Sequence, residues 1–304
     1  MVKKRDLVLA RIQGRIQQLP LLPSVLMRAL RLDLNAEDLF DRLLALLRAD
    51  PAFAVRLMRI ANSASVSPAK EVRTLNQALT VVGCNATINL ITLHSAMRVF
   101  VPSHDWERDL WRHAFDVACL MQSLALKLKS GIDPDQAYLA GLLHDIGRFI
   151  LYLEAPEALR EVDETAWSTP QQLVEAEMAI CGFDHAELGF LALQKWTLPL
   201  TLALTVRYHH VNQSHKIEMP EQVRPIILLL QFADWISFKW ALHGELWRTA
   251  STEEISRMLR EIQCRAPINL LPSQLLALVR GALEQSKRMQ VAFDLAPLSS
   301  SHRH

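Results

Sequence analysis

Asp133-Pro134-Asp135-Gln136-Ala137-Tyr138-Leu139-Ala140-Gly141-Leu142-Leu143-His144-Asp145-Ile146-Gly147-Arg148 is the stretch that decides how this chain folds. Asp133 followed by Pro134 opens a helix, because aspartate accepts from free N–H groups of the first turn and proline suits the first helical position. The apolar run then ends on two polar residues, His144 and Asp145, with Gly147 just behind them. A glycine there lets the backbone bend or approach another segment closely. Burying a histidine–aspartate pair at the end of an apolar helix is costly unless partners satisfy both groups.

The same helix punctuation recurs on both sides. Upstream, Leu19-Pro20-Leu21-Leu22-Pro23 reads as extended. Asn35 stands as the cap of a helix running to about Arg48, with Leu39, Leu43, Leu46 and Leu47 on one side. Asp50-Pro51 restarts a helix that ends near Asn62-Ser63, and two more are expected at about 75–83 and 86–100. Asp105 begins the longest, about 106–129, with the stripe Leu110, Ala114, Val117, Met121, Leu124 and Leu128.

Downstream, a run from about 148 reaches Pro156, and Thr169-Pro170 starts a helix ending at Gly182. Asp184-His185-Ala186-Glu187 has capping-box character and opens a helix to about Trp196. Leu198-Pro199 opens one that ends in Tyr208-His209-His210. Further helices are expected at about 221–242, with Pro225 in the first turn, and at about 251–263 and 272–290, before a frayed tail from Ala296. No strand pattern and no internal repeat stand out. The chain reads as all-α, a multi-helix bundle with an N-terminal helical lobe.

Composition agrees. Half of the 304 residues are apolar and only 9 are glycine, which excludes intrinsic disorder and favours helices. The net charge of +1 hides a split, +7 over residues 1–100 and −6 over the rest. That basic half, with Lys3, Lys4, Arg5, Arg11, Arg15, Arg28, Arg31, Arg56 and Arg59, could meet nucleic acid. Its charges are scattered along helices, however, which suits solvation or internal pairing better. Cys84, Cys119, Cys181 and Cys264 form no tight framework and read as reduced, mostly buried thiols of a cytoplasmic protein. The apolar stretch after Lys3-Lys4-Arg5 is too short for a secretory signal, and no run is long enough to span a membrane.

Several of the eleven histidines occupy inward or helix-end positions. His113 lies on the stripe between Leu110 and Val117, His144 and Asp145 close an apolar helix, His185 starts one, and His209 and His210 end another. Asp234 lies four residues after Leu230 on an apolar face. Each alone has an ordinary structural reading: a buried histidine bonded to a carbonyl, a helix C-terminus favoured by the macrodipole, an aspartate paired with an arginine. Together, five imidazoles and two carboxylates suit one or two divalent transition-metal ions, whether iron, manganese, cobalt, nickel or zinc. His94, His104, His215, His243, His302 and His304 lack such company and read as surface or structural.

The run Gly141 to Arg148 resembles the signature of the HD superfamily of metal-dependent phosphohydrolases. Flanking blocks narrow the resemblance to the HDOD family, the HD-related output domains. These blocks are Leu19 to Pro23, Asp50-Pro51, Arg59-Ile60-Ala61-Asn62-Ser63-Ala64, Gln77-Ala78-Leu79 through Val82-Gly83, Phe183 to Gly189, Trp196-Thr197-Leu198-Pro199, and His209-His210. The resemblance covers roughly residues 15–215. It implies an all-helical bacterial signalling output module, with residues 1–100 as the N-terminal lobe, 101–245 as the HD-like core, and 246–304 as C-terminal helices and tail.

By the superfamily pattern His113, His144, Asp145 and Asp234 hold one metal, while His185, His209 and His210 resemble the extra histidines of the HD-GYP relatives. Where those relatives carry a Glu and a G-Y-P motif after the double histidine, this chain has Val211-Asn212-Gln213, and Arg148 replaces their lysine. Cyclic di-GMP hydrolysis is therefore not expected. Two functions are: a signalling module working through contacts with a protein partner and holding a metal, or a phosphohydrolase acting on a nucleotide or other phosphoester with Asp145 and Arg148 in catalytic roles. Nucleic acid and membrane are not expected partners, and the sequence leaves oligomeric state open.

Overall fold

A computed structural model of the chain describes residues 28–29, 32–33, 36–62, 71–102, 104–128, 131–165, 167–211, 219–249, 251, 253–254 and 270–295. The Leu19–Pro23 segment, Asn35, Ser63-Ala64, Lys3, Lys4, Arg5, Arg11, Arg15, Arg31, Asn212-Gln213, His215, His302, His304, Cys264, nearly all of the helix expected at 251–263 and the tail from Ala296 lie outside them, as does the side chain of His243. The described residues are helical with connecting turns and contain no strand. None of their helices is long and apolar enough to cross a membrane. They form two compact units, one within residues 104–286 and the other joining residues of 28–102 to those of 287–295.

The smaller unit is built from α1 (Leu39–Ala49), α2 (Pro51–Ala61), α3 (Leu75–Val82) and α4 (Cys84–Val99). Asp50 starts α2 as the sequence suggests, its carboxylate accepting the Phe53 N–H at 3.1 Å. Leu43, Leu47, Phe53, Leu57, Leu79 and Leu93 make the core, each such fully buried side chain contributing about 1.5–3 kcal/mol over exposure. Asn62, just past α2, clamps a later segment by donating to the Val72 carbonyl and accepting from its N–H, both at 2.8 Å. The break between α3 and α4 is Gly83 alone, so α4 begins two residues earlier than the sequence suggests.

The larger unit contains α5 (Asp105–Leu128), α6 (Pro134–Leu143), α7 (Ile146–Glu154), α8 (Pro156–Asp163), α9 (Pro170–Ile180), α10 (His185–Lys195), α11 (Leu200–Tyr208), a 3-10 turn (Glu221–Val223), α12 (Arg224–Thr249) and most of α13 (Pro272–Ala292). The long helix α5 is the spine. α6 packs along it so tightly that a Cβ on Gly141 would stand 2.8 Å from the Ala118 Cα. α12 lies against α5, and α10 packs on both α7 and α11. Trp111 and Phe149 meet at 4.3 Å between ring centroids, joining α5 to α7 in the core. α8 was not expected. Pro156 reads as the end of the preceding run, yet it occupies the first turn of a new helix that buries Leu159 and Val162.

Candidate metal centre

Helix ends bring the polar residues together. His144 caps the C-terminus of α6, where its Nδ1–H donates to the Gly141 carbonyl at 2.8 Å. Asp145 occupies the N-cap position of α7 but makes no capping bond, which leaves its carboxylate free to face the histidines. His185 is the first residue of α10, a start fixed by Asp184, whose side chain accepts the Glu187 N–H at 2.8 Å. His209 caps the C-terminus of α11, with Nδ1–H donating to the Val206 carbonyl at 2.5 Å, and His210 follows it. His113 projects from α5 to Ser237, its Nδ1 lying 3.0 Å from the hydroxyl oxygen, and Asp234 stands three residues before Ser237 on α12.

Gly147 makes the assembly sterically feasible. A Cβ at that position would sit 1.9 Å from the His185 carbonyl oxygen and 2.7 Å from its carbon, so only glycine lets the first turn of α7 lie against that of α10.

The seven residues expected from the sequence all converge, in two groups. Asp145, His185, His209 and His210 form one, and His113, His144 and Asp234 the other, with the candidate ligand atoms of each group all within 4.8 Å of one another. Asp145 joins the two. Its Oδ1 lies 3.1 Å from His185 Nε2, 3.3 Å from His144 Nε2 and 3.7 Å from His209 Nε2, while Oδ2 is 3.7 Å from His113 Nε2. Asp234 Oδ1 is 3.1 Å from His113 Nε2 and 3.9 Å from His144 Nε2. Among the imidazoles, Nε2 of His185 is 2.9 Å from that of His210 and 3.3 Å from that of His209, and those of His113 and His144 are 3.2 Å apart. His144, His185 and His209 are buried, whereas His113 and His210 are partly open.

Proton affinities follow from burial and charge. Burial pushes His144 down to about 4, against the pull of Asp145 and Asp234. Burial, then His209 and His185, push His210 well below the usual range. Burial would lower His185 as well, but the Glu177 and Asp145 carboxylates overcome it and raise this imidazole to about 10. His113 is raised despite burial by its hydrogen bond to Asp234 and the charge there. Burial disfavours both carboxylates in their charged form. Even so, His144 and His185 hold Asp145 well below the usual range, and His113 holds Asp234 below it.

The donor set fits a divalent transition ion. A carbonyl or carboxylate on Nδ1 fixes a proton there in His144, His185 and His209, so a neutral ring at each of these positions turns its Nε2 lone pair toward the cluster. All three Nε2 atoms lie within 3.7 Å of Asp145 Oδ1, which can only accept. A cation among them satisfies every group at once, as outer hydrogen bonds on metal-ligating histidines ordinarily arrange.

Arg148 stands elsewhere. Its Nη2 lies 2.6 Å from Asp163 Oδ1 and its Nε 3.5 Å from Glu177 Oε1, so its guanidinium is engaged outside the ligand groups. Two residues at the site were not singled out from the sequence. Glu177 binds His185, and Ser237 binds His113. Glu177 was findable, because it lies four residues after Leu173 on the buried side of α9. His94 and His104 lie apart from the centre, the first buried near Phe53 in the smaller unit and the second exposed near Glu107.

The sequence pattern of the HDOD domain matches residues 19–212, about two-thirds of the chain. The chain belongs to the HDOD family. Six of the seven clustered residues of this HDOD protein fall inside the match, and Asp234 lies beyond it. A curated relative, an uncharacterized protein of Treponema pallidum (strain Nichols), is 30% identical over 227 residues, 74% of this chain and 43% of its own length. The HDOD chain therefore spans less than half of that relative. Among solved structures, a candidate phosphohydrolase from Shewanella amazonensis SB2B aligns over 94% of this chain and 98% of its own, with TM-score 0.71 and 23% identity. A candidate signal transduction protein from Marinobacter aquaeolei VT8 aligns over 94% of this chain and 61% of its own, with TM-score 0.67 and 21% identity. These two likenesses concern the fold.

Proposed function

We propose that this HDOD protein is a signalling output module whose larger unit holds one or two divalent transition-metal ions and which acts through contact with a protein partner. Three Nε2 atoms within 3.7 Å of the acceptor-only Asp145 Oδ1 carry the metal reading, since buried groups of that kind are costly unless a cation or donated protons sit among them. The signalling reading is supported by family membership and by a fold-level likeness to a candidate signal transduction protein. The basic character of the first hundred residues speaks less for nucleic acid, because Arg42, Arg73 and Arg98 each face an acid of their own unit: Asp38, Glu71 and Asp50.

One observation favours a second reading, a metal-dependent phosphohydrolase. Seven ligands exceed what a closed tetrahedral structural site needs, and His113 and His210 lie toward solvent. Held by the clustered histidines and aspartates, a divalent ion would lower the pKa of a bound water to about 7 and would polarise a phosphoryl oxygen. The protein's own part is to orient the imidazoles through Gly141, Val206, Ser237 and Glu177 and to exclude water from the buried side of His144 and His185.

Elemental mass spectrometry of protein purified without chelator and without a histidine tag tests the metal reading. One or two transition-metal ions per chain, lost in His144→Ala, are expected; a folded, metal-free wild type overturns it. A phosphoester screen then separates the two functions: turnover abolished by Asp145→Ala selects hydrolysis, and no turnover by metal-loaded protein leaves the contact module.

A further inference from the structure

The four oriented imidazoles are not supported alike. His113 leans on a neutral hydroxyl, Ser237, and His144 and His209 lean on neutral carbonyls, Gly141 and Val206. His185 alone among them leans on a carboxylate: Glu177 Oε2 accepts its Nδ1–H at 2.6 Å and its backbone N–H at 2.9 Å. Glu177 is fully buried, and its other oxygen faces Arg148 Nε at 3.5 Å. Arg148 is buried too and is held in turn by Asp163 at 2.6 Å. The relay therefore runs Asp163, Arg148, Glu177, His185, and it reaches the ring on the side away from the other imidazoles.

A carboxylate behind an imidazole makes it a stronger donor, and outer partners of this kind typically govern metal affinity by about 10–100-fold. We propose that Glu177, ion-paired with Arg148 at 3.5 Å, is the positioning residue that makes the Asp145–His185–His209–His210 group a tighter metal subsite than the His113–His144–Asp234 group. This rests on the metal reading above. It also gives Arg148 a different place from the one its sequence position suggests, since it acts through Glu177 and not on a substrate.

The test is titration of metal-stripped full-length protein with Co²⁺ alone, followed by its visible absorption and by equilibrium dialysis. Wild type is expected to fill two classes of site. In Glu177→Gln, which keeps a hydrogen-bond acceptor of the same shape and removes the charge, the tighter class weakens by about 10–100-fold and its absorption band shifts, while the weaker class is unchanged. Glu177→Asp restores part of the loss. If Glu177→Gln does not fold, Arg148→Gln frees Glu177 without removing it and weakens the same class to a lesser degree. Wild-type affinities and spectra in both variants overturn this inference and leave the metal reading standing. Wild type that takes up no Co²⁺ at all overturns the metal reading and this inference with it.

Discussion

Gly147→Ala puts the close approach of α7 and α10 to a direct test. The new Cβ would lie 1.9 Å from the His185 carbonyl oxygen, where ordinary contact begins at 3.4 Å, so the two helix starts must separate by about 1.5 Å. The obstacle is backbone on both sides, which rules out relief by a side-chain rotation. Overpacking of this kind costs about 1–3 kcal/mol. For a unit of this size that lowers Tm by roughly 2–4 °C per kcal/mol. The same separation stretches the 3.1 Å gap between Asp145 Oδ1 and His185 Nε2 beyond roughly 4 Å. Two donors bound to one ion at about 2.0–2.2 Å in tetrahedral geometry stand only some 3.4 Å apart, so the pair can no longer share an ion well. The expected result, read by thermal unfolding and elemental analysis together, is a lower Tm and a loss of metal from the Asp145 group. A Gly147→Ala protein with wild-type Tm and wild-type metal content would refute the reasoning.

Gly281→Ala is the complementary case. Among the described residues nothing lies within 4 Å of its added Cβ on α13, so thermal unfolding should show a gain of about 0.5–1 kcal/mol with metal content unchanged. Asp50→Ala removes the oxygen that accepts the Phe53 N–H and should cost about 0.5–2 kcal/mol in urea unfolding, with Asp50→Asn losing far less. His94 supplies a pH dependence in the smaller unit. Burial and then Arg56 lower its pKa below the ordinary 6.5. The folded protein stays neutral there while the unfolded chain takes up a proton, so stability is full above about 6.5 and declines as pH falls below it. His94→Gln should flatten the decline between pH 7 and 5, and an unchanged slope would remove the assignment.

Protons alone answer the centre's electrostatics only in part. In the metal-free protein the nearby carboxylates raise the proton affinity of His185 and His113, the rings that face Asp145 and Asp234. His144, pushed down to about 4, and His210, pushed well below its usual range, stay neutral and contribute acceptors. A polar core evolved for stability alone has an easier route, because a buried charged network is often no more stabilising than apolar side chains of the same shape. The excess of acceptors, with Nδ1 protons tied outward, is what an ion site requires.

How much of this was legible in the sequence depends on whether local chemistry or distant partners decide. Asp50-Pro51, Asp133-Pro134 and Thr169-Pro170 start helices at the expected places because the capping oxygen lies next to the proline, accepting from Phe53, Gln136 and Gln172. Pro156 follows Ala155, which has no such oxygen, and α8 went unseen. The histidines were legible for a related reason: a helix end or an apolar stripe announces itself in the residues beside it. Arg148 was not. Three residues from Asp145, it reads as a neighbour of the site, but its headgroup is drawn to Asp163 and Glu177, on helices that the sequence could not place beside it. Glu177 differs, since in Glu175-Ala176-Glu177 the first acid is exposed and the second has no exposure at all, and Leu173 four residues earlier marks that buried side. The arrival of His185 and Arg148 from other helices is what the sequence could not show, and that makes Glu177 the position where substitution says most about the centre.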